Sequence, residues 1–266
     1  MMAITLDPNS DYKRGVIRCI TSREGDVEIK GYIDRSKLFV VFGDSLERFT
    51  VGEELKIKNT EEIVSQLNVE GLDYLGLEDP DIWCDEKTGL LHLYFTMPFI
   101  SRNKPDEHSL VHLGHAVGKD LDSLEMTTPV LRAPLHDYKN ARAKEVSIAP
   151  LNSKGLRLNL FEGHDKLHEG DEDTYSTVRV AIAKDMGEEW EFGATVFHPG
   201  KADIPWIGGH ASPGPLFSND FIDMGKGRVL GIMNGREANK HKGGTTIYGM
   251  FSVGLFIYDY ENGKID

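Results

Sequence analysis

Glu78-Asp-Pro-Asp-Ile-Trp83, followed by Gly89-Leu-Leu-His-Leu-Tyr-Phe95, decides the reading of the chain. It is a short acidic start, a turn containing glycine, then a strand of alternating character. The unit returns as Glu145-Val-Ser-Ile-Ala-Pro-Leu151 with Gly155-Leu-Arg-Leu-Asn-Leu-Phe161. It returns again as Pro213-Gly-Pro-Leu-Phe217 with Gly227-Arg-Val-Leu-Gly-Ile-Met233. A second element alternates with it: an apolar strand, a basic residue or glycine before Asp, then an apolar or aromatic closer. Its copies are Phe39–Phe49, His112–Leu124 and Val180–Trp190. Copies recur at roughly 65–75 residues, longer than well-known propeller repeats. Self-similar four-stranded sheets repeated around an axis explain such a pattern, because each sheet keeps its edges short and protected. The competing explanation is a run of hairpins in a β-sandwich.

Working outward, helical periodicity is scarce. One helix is predicted at Thr60–Leu67, with Thr60 as N-cap, Glu61 and Glu62 in the first turn, and Ile63, Val64 and Leu67 on one face. The other structured stretches are short and rich in β-branched and aromatic residues: Gly15–Thr21, Lys37–Phe42, Leu90–Thr96, Val111–Val117, Leu156–Phe161, Val178–Ala183, Val229–Met233 and Thr246–Tyr258. The polar stretches Ser101–Ser109, Gly163–Thr174 and Arg236–Gly244 read as loops. The expectation is an all-β, five-bladed β-propeller over residues 1–266 as a single domain. Its N-terminal blade, about residues 1–60, is expected to be degenerate and closed by a strand from the other terminus.

The 266 residues carry 30 basic and 43 acidic side chains, a net charge of −13. A surface of that sign repels phosphate backbones and anionic lipid, so neither nucleic acid nor a membrane is an expected partner. Cys19 and Cys84 sit in no metal-binding spacing and make no disulfide framework. With no basic leader and no apolar run of membrane-spanning length, a cytoplasmic location is expected. Oligomerisation is left open.

In a propeller the innermost strands line a central channel, so the polar strand starts are the place for chemistry. The candidates are Asp7 in Leu6-Asp-Pro-Asn9, Asp79, Glu145, and the glycine-flanked His210. Glycosidic cleavage needs two carboxyl groups, one to protonate the leaving oxygen and one to activate water or attack. Trp206 is the tryptophan best placed by sequence as a sugar platform. His112 and His115 fall on opposite faces of one strand and make no metal pair. The acidic loop Asp165, Glu169, Asp171, Glu172 and Asp173 lacks the ordered spacing of a calcium loop, so no metal is expected. Phosphate-loop, dinucleotide and serine-elbow motifs are missing, and no cofactor is implied.

Gly76-Leu-Glu-Asp-Pro-Asp-Ile82, Lys144-Glu-Val-Ser-Ile-Ala-Pro150, Gly208-Gly-His-Ala-Ser-Pro-Gly-Pro215, Val229-Leu-Gly-Ile-Met-Asn-Gly235 and the stretch Tyr248–Asn262 together resemble the ordered landmarks of glycoside hydrolase family 130. The likeness runs over about residues 70–262 and extends to the wider superfamily of five-bladed glycosidases. It implies action on mannosides and places the family's catalytic Asp at Asp79. Three departures stand out. Asp81 replaces the Arg after Asp-Pro, Glu162-Gly163 replaces a His-Arg pair, and Asn234 replaces a His. Those basic positions help phosphorylases hold phosphate, so their loss speaks against phosphorolysis and leaves hydrolysis or lost activity. Related arabinan-type propellers start successive blades with Asp, Asp and Glu, a scheme that Asp7, Asp79 and Glu145 fit. The expectation is a glycoside hydrolase on a mannoside-like oligosaccharide, with Asp79 as proton donor and Glu145 as partner carboxylate. Glu78, Asp81, Glu162, Trp206, His210 and Arg236 are the expected substrate contacts. The alternative is a non-catalytic carbohydrate-binding or scaffold propeller.

Overall fold

A computed structural model describes residues 2–26, 32–101, 109–135, 137, 140–171, 174–242, 245–247 and 249–266. Parts of the expected loops at 101–109, 163–174 and 236–244, with Glu172 and Asp173, lie outside the described residues, as does Tyr248. Among the described residues the chain is all-β apart from one α-helix and short 3-10 turns. It divides into two compact units, Met1–His136 with Met186–Glu189, and Asp137–Asp185 with Trp190–Asp266.

The first unit holds two antiparallel meanders. One runs in order β1 (Ile4–Leu6), β2 (Arg14–Glu24), β3 (Ile33–Ser45) and β4 (Arg48–Glu54). Helix α1 (Thr60–Leu67) and β5 (Asp73–Tyr74) follow it. The other meander is β6 (Glu78–Cys84), β7 (Leu91–Ile100), β8 (Leu110–Gly118) and β9 (Glu125–Met126), with β5 also pairing β7. Strand β7 is buried on both faces, which explains its nearly unbroken apolar run: Leu91, Leu93, Tyr94, Phe95, Met97 and Phe99 are all fully buried. Each such side chain contributes about 1.5–3 kcal/mol of burial.

The second unit also holds two meanders. The first is β10 (Lys144–Ser147), β11 (Arg157–Asp165), β12 (Tyr175–Ala183) and β13 (Glu191–Phe197). The second uses β14 (His210–Leu216) and β15 (Arg228–Arg236). A small hairpin, β16 (Lys240–Lys242) and β17 (Thr245–Ile247), intervenes before β18 (Phe251–Asp259) and β19 (Lys264–Ile265) complete that meander. A parallel bridge, Ser176 to His210, joins the two meanders into one sheet. Their shared core comprises Leu160, Val178, Val180, Ile207, Val229, Met233, Phe256 and Tyr258. The buried Tyr258 hydroxyl donates to the Leu158 carbonyl at 2.6 Å, so its polar end is satisfied.

Several sequence expectations change in detail. The N-terminal segment is a four-stranded meander whose 11- and 13-residue strands β2 and β3 pair along most of their length, with a register shift between Ile20 and Ser22. The C-terminal strand β19 pairs with β18 in its own meander. Helix α1 has the expected bounds, but its N-cap is Asn59, in the left-handed conformation at φ 63°. The Thr60 hydroxyl instead donates to the Ile57 carbonyl. The expected strand Thr246–Tyr258 is split into β17 and β18 around Gly249 and Met250.

Two irregularities position the candidate chemistry. Both β6 and β10 carry a one-residue β-bulge at their start. The register of β6 on β7 jumps from Glu78–Thr96 to Asp81–Tyr94, and that of β10 on β11 from Lys144–Glu162 to Val146–Phe161. The bulges contain Asp79 at φ 45° and Glu145 at φ 49°. A side chain in this left-handed region costs roughly 1–2 kcal/mol, and bulges of this kind re-aim a side chain out of the ladder.

Candidate active site

In the first unit the site is an ion-pair cluster on Arg18 of β2. The Arg18 guanidinium donates through Nη1 to Asp79 Oδ1 at 2.8 Å and through Nη2 to Glu78 Oε1 at 2.6 Å. Its Nε donates to Ser36 Oγ at 2.9 Å, and that hydroxyl donates to Glu78 Oε1 at 3.2 Å. All three charged side chains are largely buried, so the pairs are poorly screened by water. The cluster depends on a close backbone approach. The Ser36 N–H donates to the Leu75 carbonyl, and Ser36 bridges in parallel to Gly76. A Cβ at Gly76 would lie 1.9 Å from the Ser36 carbonyl oxygen, and its φ is 107°. Only glycine fits there. The glycine that opens Gly76-Leu-Glu-Asp-Pro is thus what lets β6 start beside β3.

Asp81 lies two residues along β6, past the bulge and opposite Tyr94. Burial strips its carboxyl of water and pushes its pKa up to about 7, against a smaller lowering by a hydrogen bond from the Ile82 N–H. Asp7 is also buried, at the far end of β1. Its N–H donates to the Arg14 carbonyl, four residues along β2 from Arg18. Its Oδ1 accepts from the Asn9 N–H, capping the 3-10 turn Pro8–Ser10. Cys84 Sγ lies 3.9 Å from that same oxygen. The structure brings Glu78 and Asp79 together on Arg18, and places Asp81 and Asp7 outside that cluster.

The second unit has its own polar cluster, at the matching end of its meander. Glu162 of β11 is 1% exposed, with Lys144 Nζ 3.0 Å from Oε1 and His210 Nε2 3.8 Å from Oε2. Neither carboxylate oxygen has a hydrogen bond of good geometry among the described residues. His210 is pushed down to about 4, first by burial and then by the positive charges of Lys144 and Arg236, with Glu145 opposing. It is therefore a neutral imidazole at pH 7. His210 pairs with Arg236 across β14 and β15, and Arg236 pairs with Phe251 of β18. The Phe251 ring meets His210 edge-on at 5.8 Å between centroids, and the Arg236 guanidinium lies 5.5 Å from its centre. Lys144, Glu145, Glu162, His210 and Arg236 thus form one electrostatically coupled group, walled by Phe251. Trp206 takes another place. Its ring lies over Gly235 and Gly254, where a Cβ on either would come within 2.5 Å, so it packs across β15 and β18.

Arg18, Ser36, Lys144 and Phe251 were not read from the sequence as site residues. Lys144 and Phe251 stand inside quoted motifs. Arg18 and Ser36 carry no local signal, since nothing in their own strands shows which residue they face. Position 163, where the resembled family has Arg, faces away from Glu162. A Cβ at Gly163 would lie 2.6 Å from Arg179 Cδ, so the buried Arg179 fills that space from the neighbouring strand. Its Nη2 donates to Asn140 and to the Gly193 carbonyl. Among the described residues no group of three or more His, Cys, Asp or Glu is gathered for a metal ion. No helix among the described residues is long and apolar enough to cross a membrane.

No family model matches the chain, and no curated protein does. Solved structures resemble it throughout. A provisionally assigned glycoside hydrolase from Parabacteroides distasonis superposes with a TM-score of 0.63 at 16% identity, covering 99% of this chain and 70% of that one. An exo-1,5-alpha-L-arabinanase from a bovine ruminal metagenomic library gives 0.56 at 12%, covering 98% and 74%. The beta-1,2-mannobiose phosphorylase from Listeria innocua, solved with beta-1,2-mannobiose, gives 0.54 at 13%, covering 88% and 52%. The fold is that of the propeller glycosidases.

Proposed function

We propose that the protein is a glycoside hydrolase acting on a mannoside-like oligosaccharide. Asp79 serves as proton donor and Glu145 as partner carboxylate. The observation that carries this reading is the shared construction of the two residues. Each is acidic, each occupies the extra position of a bulge at a strand start, and each is held at a positive φ that non-glycine residues rarely adopt. Backbone strain of this kind persists where the surroundings enforce it, and it clusters at functional sites. Asp79 Oδ1 is taken by Arg18, which leaves Oδ2 for the leaving oxygen. Glu78 and Ser36 hold Arg18 in place. In the second unit Lys144, neutral His210 and Arg236 offer donors to sugar hydroxyls, and Glu162 offers an acceptor. A blade count of five would need one more four-stranded sheet than the four meanders seen among the described residues.

A second reading, a carbohydrate-binding protein without turnover, is favoured by the Arg18 fork, which engages both acidic residues of the Glu78-Asp79 pair. The two are separated by assaying Asp79→Asn and Glu145→Gln on aryl glycosides and manno-oligosaccharides. Each amide is nearly isosteric with its carboxyl group. Activity should fall on the order of 10²–10⁴-fold in each variant; both should stay folded by circular dichroism, Asp79→Asn melting lower because it breaks the buried pair with Arg18. Undiminished rates in either would remove that residue from the mechanism. Binding of the same sugars without turnover by the unmodified protein would select the second reading.

A further inference from the structure

A cavity of about 900 Å³ opens within the first unit. It lies between β3, the segment from the end of β4 to the start of α1, and the segment from β5 to β6. Its size is that of a small-molecule site, about 300–1,000 Å³. Ser36 and Gly76 belong to its wall, whereas Arg18, Glu78 and Asp79 do not, so it is a space of its own beside the ion-pair cluster. Its lining has two characters. Leu38, Leu55 and Leu75, each less than a tenth exposed, make an apolar wall. Tyr74 adds an aromatic ring backed by Phe99, 5.1 Å away between centroids. Burial, and then the charge of Glu78, push the Tyr74 pKa up, so its hydroxyl keeps its proton and can donate. The charged side chains of the lining number three of each sign, Arg35, Lys37 and Lys56 against Glu54, Glu61 and Glu62. Some are already tied down. Lys37 Nζ donates to Glu54 Oε2 at 2.7 Å, and Arg35 Nη1 donates to the Tyr74 carbonyl at 2.8 Å. Asn59 also lines the cavity, and its exposed side chain makes no capping hydrogen bond to α1, which leaves its amide to a ligand.

We infer that this cavity binds a neutral saccharide, as a second carbohydrate site apart from the candidate active site. In a chain of net charge −13 its lining is balanced, so it offers no net field to select an anion or a cation. A purely apolar ligand would cover the polar rim and strip it of water without replacing the lost hydrogen bonds. A sugar ring has both halves that the lining asks for. Its C–H face suits the leucine wall and the Tyr74 ring, and its hydroxyls suit the Asn59 amide, the Tyr74 hydroxyl and the charged rim. The inference does not depend on the roles proposed for Asp79 and Glu145.

Hydrogen exchange with manno-, arabino- and fructo-oligosaccharides at roughly 1–10 mM, the range of a millimolar dissociation constant, tests it. At least one of these should slow amides within 54–62 and 74–77 about threefold or more, and a sugar phosphate or uronic acid at equal concentration should slow them less. Glu145→Gln lies in the second unit and removes turnover in the proposed mechanism; it should leave this protection intact. Asn59→Gly keeps a backbone conformation that glycine adopts freely, and Tyr74→Phe keeps the ring. Both should remain folded by circular dichroism, and each should raise the dissociation constant about threefold or more. No protection with any neutral saccharide, equal or greater protection by the charged sugars, loss of protection in Glu145→Gln, or undiminished binding in both folded cavity variants would each overturn the inference. Protection without turnover by the unmodified protein would remove the glycosidase reading and leave this one standing; turnover without protection here would do the reverse.

Discussion

Asp81 shows how much one atom's surroundings decide. Its carboxyl is pushed up to about 7 by burial, so between about pH 4 and pH 7 the folded protein holds a proton that the unfolded chain has lost. Stability from this group therefore falls as pH rises through that window and is level above it. Asn cannot ionise and carries no such penalty. Asp81→Asn should match the original near pH 4 and exceed it at pH 8, by up to about 4 kcal/mol for a shift of this size. Thermal melts at the two pH values check this. An equal difference at both would mean that Asp81 titrates normally. The residue types at the site were legible in the sequence, because Glu-Asp-Pro and Lys-Glu-Val open their strands conspicuously. Their partners were not. Arg18 reaches Asp79 from 61 residues away, and no local pattern encodes a pairing set by how β2 lies beside β6.

At the scale of elements, alternation and turn residues were enough to find helix α1 and most strands, though the strands proved longer than their apolar centres. Extension came from polar ends that pair in the ladder without being buried, such as Ser22, Arg23 and Glu24 of β2. The bulges at Asp79 and Glu145 were hidden, since a positive φ at an acidic residue leaves no compositional trace where glycine would have announced it. This strain gives a test of its own. Glycine adopts the left-handed region freely, so Glu145→Gly should raise stability by about 0.5–1 kcal/mol while removing the carboxylate. A melting temperature a few degrees higher with activity lost is the expected pair of results. A lower melting temperature would show that the Glu145 side chain contributes more to folding than its backbone costs.

At the scale of the whole molecule, the recurring acidic start and alternating strand correctly announced repeated four-stranded meanders, because each copy brings its own turn chemistry. The net charge bears on the proposed reaction as well. An anionic co-substrate would have to approach a protein of charge −13, and Glu162 already pairs with Lys144, a cation that would otherwise hold it. Turnover of manno-oligosaccharides should therefore be unchanged by millimolar inorganic phosphate and should release the free sugar. A rate that saturates with phosphate, with a sugar 1-phosphate as product, would show phosphorolysis instead.

The tryptophans divide unequally between the compact units. Trp83, its ring 5.2 Å from that of His92, is in the first unit, while Trp190 and Trp206 are in the second. The molecule thus carries a built-in optical label for each half. With Trp83 replaced by Phe, intrinsic emission reports the second unit by itself; with Trp190 and Trp206 replaced, it reports the first. Denaturant titrations of the two variants then give two separate midpoints and two separate slopes, and their coincidence or divergence measures directly whether the halves of this chain melt as one cooperative body.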